Sequence, residues 1–230
     1  MTGKVAIVAG GSGALGQSIA LRFLRDGATV AVPWFVPEEW AALESRAGDA
    51  RPRLFGQKLD MADEAAVTAF VADLLRRSKR VDVIVNAVGG FAGGDLASTP
   101  LAEWRRLVDL NLTSAVVGCR AVLPAMRTAR RGRIVNVASR AVVPPLGGFI
   151  AYTVSKSAVI ALTQARAQEE RPHGITVNAV LPSTMDTPAN RRAMPDADRS
   201  TWVSTDAVAD VIAYLASDSA SAVSGACVAV

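Results

Sequence analysis

The stretch VAIVAGGSGALG, Val5 to Gly16, runs five small or β-branched apolar residues straight into a turn holding four glycines. A helical pattern then carries on from Ala14 to Asp26. Strand, glycine turn and helix in that order open a β-α-β unit. Within Gly11-x-Gly13-x-x-Gly16 the first glycine allows the tight turn, and the second lets backbone approach a pyrophosphate closely. The third lets the helix pack hard on the strand, while the helix start offers free N–H groups and a positive dipole end to the anion. Alone, such a turn is only a tight connection. Its place at the head of a β-α-β series predicts dinucleotide binding by Gly10, Gly11, Gly13, Leu15 and Gly16.

Outward from the turn, further β-branched runs stand at Thr29–Val32, Arg53–Gln57, Val81–Asn86, Arg133–Val137, Thr176–Val180 and Ala226–Val230. Helical patterns fill most of the gaps, at Glu38–Arg46, Ala62–Ser78, Ala102–Thr128, Tyr152–Arg171 and Thr205–Ser217. The strands are unbroken apolar runs, not alternating ones, so both of their faces are expected to be buried. With right-handed crossovers this predicts an α/β, single-domain doubly wound (Rossmann) fold over residues 1–230: a seven-stranded parallel sheet with helices on both faces. Pro182 to Trp202 is the only long stretch without periodicity, and residues 182–204 are expected to form a substrate-binding loop.

Half of the 230 residues are hydrophobic and 20% are charged, a globular composition with ample material for a core. The net charge of +4 gathers in clusters such as Arg76–Arg80 and Arg127–Arg133, at expected helix ends where cations complement the dipole. No aromatic-interleaved basic motif accompanies them, so no nucleic-acid partner is expected. Cys119 and Cys227 have no metal-ligand or CxxC spacing and read as reduced thiols of a cytoplasmic protein. The N-terminal apolar stretch is too short for a signal peptide and no apolar run reaches membrane-spanning length, so no membrane association is expected. His173 is the only histidine, which leaves neither a Ser-His-Asp triad nor a metal site to expect.

After the second strand a carboxylate should grip the ribose 2′-hydroxyl of NAD, yet the sequence there is Pro33-Trp34-Phe35. No arginine or lysine stands there for a 2′-phosphate either. Trp34 would flank the adenine or close the core; Glu38 and Glu39 are near enough to reach back, although acids at helix starts are common. NADP(H) and NAD(H) both stay open. Further on, DVIVNAVGG ends a strand with Asn86, Ala87 and Val88, small enough for a flat ligand to approach. Asn111 falls mid-helix, where its propensity is poor. Ser139 lies just past the fifth strand, Tyr152 thirteen positions later, and Lys156 four after that. Singly, each has an ordinary explanation.

Together, in order and spacing, these motifs resemble the short-chain dehydrogenase/reductase family over essentially the whole chain. The glycine turn, Asp60 before Met61, NAVG at Asn86–Gly89, Asn111, Ser139, Tyr152-x-x-x-Lys156 and LPSTMDTP at Leu181–Pro188 carry the resemblance. It implies an NAD(P)-dependent oxidoreductase moving a hydride between the nicotinamide cofactor and a small-molecule carbonyl or alcohol, ketone reduction foremost. Tyr152 would be the acid in reduction and the base in oxidation. Lys156, on the same helix face, would favour the phenolate and hold the nicotinamide ribose. Ser139 would bond the substrate oxygen, and Asn111 would hold a relay water. Asp60 and Met61 would flank the adenine, Thr187 would bind the nicotinamide end or the phosphates, and Pro182 and Met185 would also contact the cofactor. The chain departs from the family pattern at Ala9, Ala14, Val88 and Ser183, none of which removes a reacting side chain.

The long loop and the VGGFAGG stretch are similar to parts of quinonoid dihydropteridine reductases, a branch that typically lacks the serine and asparagine kept here. Dihydropteridine-reductase-like activity is therefore the alternative, and a non-catalytic dinucleotide sensor a second one. Phe91, Met194 and Trp202 would line a flat apolar pocket or pack a lid. Family members pair through the helices matching Ala102–Thr128 and Tyr152–Arg171, which implies a homodimer or homotetramer.

Overall fold

In the computed structural model, which describes residues 1–230, the strands are β1 (Val5–Ala9), β2 (Thr29–Trp34), β3 (Leu54–Lys58), β4 (Val83–Asn86), β5 (Gly132–Val137), β6 (Ile175–Leu181), β7 (Met185–Asp186), β8 (Val203–Ser204) and β9 (Cys227–Ala229). The helices are α1 (Ala14–Arg25), α2 (Pro37–Ala47), α3 (Glu64–Ser78), α4 (Leu101–Val108), α5 (Ser114–Ala129), α6 (Ile150–Glu170), α7 (Pro188–Ala193) and α8 (Thr205–Leu215). Seven strands form one parallel sheet in the order β3-β2-β1-β4-β5-β6-β9, as expected. The order reverses between β1 and β4. In such sheets a crevice opens at that point, beyond the carboxyl ends of the strands.

Successive strand residues point to opposite faces, and both faces are filled. Val8, Val30, Val32, Val83, Val85 and Val135 meet α1, α2 and α8 on one side. Ile7, Ala31, Ile84, Ile134, Ile175 and Val177 meet α3 and α5 on the other. That is why the strands carry no polar alternation.

β2 runs two residues beyond its β-branched pattern, through Pro33 and Trp34. Proline offers no ladder donor, which argues against an interior strand position. Here the β1–β2 register stops at Ile7↔Ala31, and the next acceptor, the Val8 carbonyl, takes the Gly11 N–H at 3.0 Å. Pro33 therefore costs no hydrogen bond, and β2 continues against β3 as far as Trp34↔Lys58. The glycine turn closes on the carbonyl that the proline leaves free.

The helix expected at Ala102–Thr128 is continuous from Leu101 to Ala129, with a wide π-type turn at Asp109–Thr113 joining α4 to α5. At 29 residues and a mean hydropathy of 1.3 in its apolar window, it is long and apolar enough to cross a membrane. This corrects the expectation that no such run exists: from Leu110 to Met126 a single charge, Arg120, interrupts the stretch. Val117, Val122, Leu123 and Met126 of this helix are buried against the sheet, as in a core helix. The segment after Pro182, aperiodic in sequence, holds α7 and the small parallel ribbon of β7 with β8.

Two glycines of the turn differ in why they lack side chains. A Cβ on Gly16 would overlap the Gly10 carbonyl oxygen, whereas one on Gly13 would meet only that same oxygen at an ordinary 3.5 Å. Gly13 also has a φ of −72°, open to any residue. Gly16→Ala should therefore cost about 2–3 kcal/mol or more, as overpacking does. Gly13→Ala should stay within about 1 kcal/mol of wild type, on either side. Thermal unfolding of the two variants tests this; equal losses would contradict it.

Candidate active site

α6 begins without a side-chain cap. Its first N–H, on Ile150, donates instead to the Gly94 carbonyl at 3.0 Å, while the Gly94 N–H donates to Gly148 at 2.8 Å. This backbone clip ties the segment after β4 to the start of α6. It brings Phe91 over Tyr152, edge to face, with ring centroids 5.0 Å apart. Phe149 completes a triangle, 5.6 Å from Phe91 and 6.1 Å from Tyr152. Phe91 is nevertheless 61% exposed, so its outer face is free.

Lys156, one turn after Tyr152, is buried and donates from Nζ to the Val137 carbonyl at the end of β5, at 2.8 Å. Asn111 sits in the π-type turn, where the widened backbone aims its side chain at the segment after β4. Its Oδ1 accepts the Gly90 N–H at 2.9 Å, and its Nδ2 donates to the Gly90 carbonyl at 3.1 Å and to Ser155 Oγ at 2.9 Å. Gly89 lies between these groups: a Cβ there would stand 2.9 Å from Asn111 Oδ1 and 3.0 Å from Lys156 Nζ. Ser139 faces Tyr152 from just past β5. The four residues far apart in sequence thus converge.

Their electrostatics differ in one respect from expectation. Burial raises the Tyr152 phenol above its ordinary range, and the Ser139 hydroxyl offsets only part of this. The help expected from Lys156 is not among the causes of this shift, and the phenol is neutral at neutral pH. Burial also brings Lys156 down to about 8, so its ammonium persists at pH 7 with little margin. Both donors of the Asn111 amide are engaged by Gly90 and Ser155, while its Oδ1 accepts only the Gly90 N–H and keeps one acceptor site open.

Beside this group, at the β1–β4 reversal, lies a cleft of about 380 Å³. Its lining includes Gly10, Gly13, Trp34, Asp60, Met61, Ala87 and Val88, all expected from sequence. A dinucleotide fits the observations. Gly13 leaves space that packing does not require, and the start of α1 has no side-chain cap to occupy its N–H groups.

The chain matches the short chain dehydrogenase family over residues 4–198. The chain is a short-chain dehydrogenase. It is 34% identical to the 3-alpha-(or 20-beta)-hydroxysteroid dehydrogenase of Mycobacterium bovis, over 98% of this chain and 87% of that one. Among solved structures it resembles levodione reductase, with a TM-score of 0.92 and 27% identity over 100% of this chain and 96% of that one. It also resembles carveol dehydrogenase from Mycobacterium avium in complex with NAD, with a TM-score of 0.91 and 27% identity over 100% and 96%. As a member of this family it is an NAD(P)-dependent oxidoreductase acting on alcohol and ketone groups.

Other residues marked in the sequence of this dehydrogenase do not line the cleft. Gly11 and Gly16 serve packing of the turn, and Leu15 is buried in the α1–α8 core. The Asn86 amide turns inward, donating to Asn136 Oδ1 at 2.8 Å and Cys119 Sγ at 3.4 Å. The Pro182 carbonyl holds the Arg140 N–H, Met185 packs on the core, and Thr187 caps α7 through Asn190 N–H at 3.2 Å. Phe91 joins the Tyr152 cluster, whereas Trp202 sits under Arg199, 5.8 Å from its ring. Ser12, Val36, Leu59 and Leu110 line the cleft without having been marked. Of these, only Ser12 carries a sequence signal, its place between Gly11 and Gly13 inside the glycine motif.

The Lys156 shift has a measurable consequence. Lysine titrates near 10.5 in the unfolded chain and near 8 here, so below pH 8 both states hold the proton and the full burial cost applies. Between pH 8 and 10.5 only the unfolded chain binds it, and stability climbs with pH. Relative to Lys156→Met, wild type should gain up to about 3 kcal/mol across that window. Urea unfolding of both proteins at pH 7 and pH 10.5 measures the difference; a flat difference would remove the burial cost.

Proposed function

We propose that this dehydrogenase interconverts ring-bearing ketones and their secondary alcohols, with Asn111, Ser139, Tyr152 and Lys156 as its working set. The observation that carries the reading is a neutral Tyr152 phenol flanked by Ser139 and by two phenylalanine rings. The bound nicotinamide supplies or accepts the hydride. In ketone reduction the Tyr152 hydroxyl gives its proton to the carbonyl oxygen as that oxygen gains charge, leaving a phenolate. Ser139 donates to the same oxygen, and the Lys156 ammonium stabilises the phenolate that remains. Asn111 positions Gly90, and through it the segment bearing Phe91. Phe91 and Phe149 present flat apolar faces, suited to a ring. The hydroxysteroid dehydrogenase, levodione reductase and carveol dehydrogenase are named for cyclic compounds, which supports the same substrate class.

The reading takes residues 1–230 as one NAD(P)-binding unit with 182–204 as its substrate loop, working as a cytoplasmic homodimer or homotetramer through α4–α5 and α6. Two unpaired cysteines are in keeping with a reducing compartment. No nucleic-acid role is proposed. Most arginines of the basic clusters are spent on ion pairs, Arg76 and Arg77 with Asp73, Arg80 and Arg131 with Asp82, and Arg127 with Glu170.

Tyr152→Phe should keep NAD(P)H binding, followed by fluorescence, and lose about 10²–10⁴ in turnover. Turnover like wild type would remove Tyr152 as the acid. In wild type, ketone reduction should fall and alcohol oxidation rise as pH climbs toward the raised phenol pKa. Phe91→Ala should raise KM for cyclic ketones about tenfold, from a lost stacking face, while leaving short acyclic ketones nearly unchanged. An equal effect on both classes would exclude the aromatic faces as ring contacts.

A further inference from the structure

At the far end of the cleft from Tyr152, the first turn of α2 is bound to the glycine turn. The buried Ser12 hydroxyl donates to Glu39 Oε2 at 3.2 Å. Gln17 on α1 donates to the Ser12 carbonyl at 2.8 Å and to the Glu39 carbonyl at 3.3 Å. Trp34 and Trp40 stack nearly parallel, 6° apart with centroids 6.0 Å apart, and hold α2 against the end of β2. Glu39 is therefore placed by three separate contacts, not swinging free from a helix surface.

The charges of the cleft lining are one-sided. Glu39 and Asp60 are its only ionisable side chains, and no lysine or arginine is among them. Asp60 is engaged in capping the Ala62 N–H at 2.8 Å. Two cations lie close by. Arg46 sits seven residues along α2, with Nη1 committed to Gln17 Oε1 at 2.7 Å. Lys58, paired in register with Trp34, stands outside the lining. A pyrophosphate held at the glycine turn beside Ser12 would place the adenosine ribose on the Glu39 side of the cleft.

From this we infer that Glu39 is the residue that reads the adenosine ribose, and that the enzyme selects NAD(H) over NADP(H). The inference rests on dinucleotide binding in this cleft. The helix supplies the carboxylate missing after β2, five residues later than Trp34, which occupies the expected place. The carboxylate would accept from ribose hydroxyls, while a 2′-phosphate would meet a like charge with no cation in the cleft lining to offset it.

Calorimetric titration of the full-length enzyme with NADH, NADPH, ADP and 2′,5′-ADP, without substrate, tests this apart from turnover. Wild type should bind NADH at least tenfold more tightly than NADPH, and ADP more tightly than 2′,5′-ADP. Glu39→Gln should bring each pair to within about threefold, and Glu39→Ala should do the same if the glutamine keeps part of the contact. Equal or tighter NADPH binding by wild type would overturn the assignment, as would an unchanged ratio in both variants. Failure of all four nucleotides to bind would overturn the dinucleotide reading of the cleft as well, which separates the two failures.

Discussion

The glycine turn and the end of β4 approach so closely that no side chain fits between them. A Cβ on Gly10 would stand 2.8 Å from the Val88 nitrogen, and Gly10 has a φ of +77° that other residues rarely adopt. The Ala87 N–H crosses the same gap to the Ala9 carbonyl at 3.0 Å. Two positions later Gly89 is packed between Asn111 and Lys156. The glycine turn and the residues proposed to handle the proton are therefore joined almost backbone to backbone. Little slack remains between where a cofactor would be held and where chemistry would occur, as orientation at a reacting centre demands.

The proton-handling residues are placed at a cost. Lys156 gives up hydration and recovers one carbonyl bond, from Val137. Tyr152 is biased toward its neutral form by the same burial. Asn111 interrupts a long helix with a wide turn, an irregularity that packing alone would not favour. Three local departures from the most stable arrangement sit within one site. Such a concentration is expected where structure has been given up for function.

Much of the fold was legible because burial on both faces leaves a simple mark. β1 is an unbroken apolar run, and the few polar residues of β4, β5 and β6, Asn86, Arg133, Asn136, Thr176 and Asn178, are too few to mark a polar face and are themselves buried. Tyr152, Lys156, Ser139 and Asn111 were legible as an ordered set, since their spacing survives the long gaps between them. Pro33 misled. Its missing N–H marks a strand end by local rules, and only the Gly11 bond to Val8 shows why the strand continues. Asn86 misled as well: its position at the strand end was right, but the alternation of strand side chains turns its amide to Asn136. The direction of a side chain on a buried strand depends on register, and register is a property of pairs of strands, not of either sequence alone.

The two ends of the site use opposite means. At the glycine end, missing side chains let a ligand come close. At the Tyr152 end, side chains stand exposed where folding would hide them: Phe91 at 61%, Leu96 at 73% and Leu146 at 51%. Apolar area left in water is a standing cost of about 25 cal/mol per Å², recovered when something covers it. A ring-bearing substrate would recover it at points remote from its carbonyl carbon. Binding energy gained there can be spent on holding the carbonyl against Tyr152 and Ser139, which is where it raises the rate. On the proposed reading the backbone clip at Gly94 would have a chemical role: it fixes Phe91 at a set distance from the phenol, so that covering one group would orient the substrate toward the other.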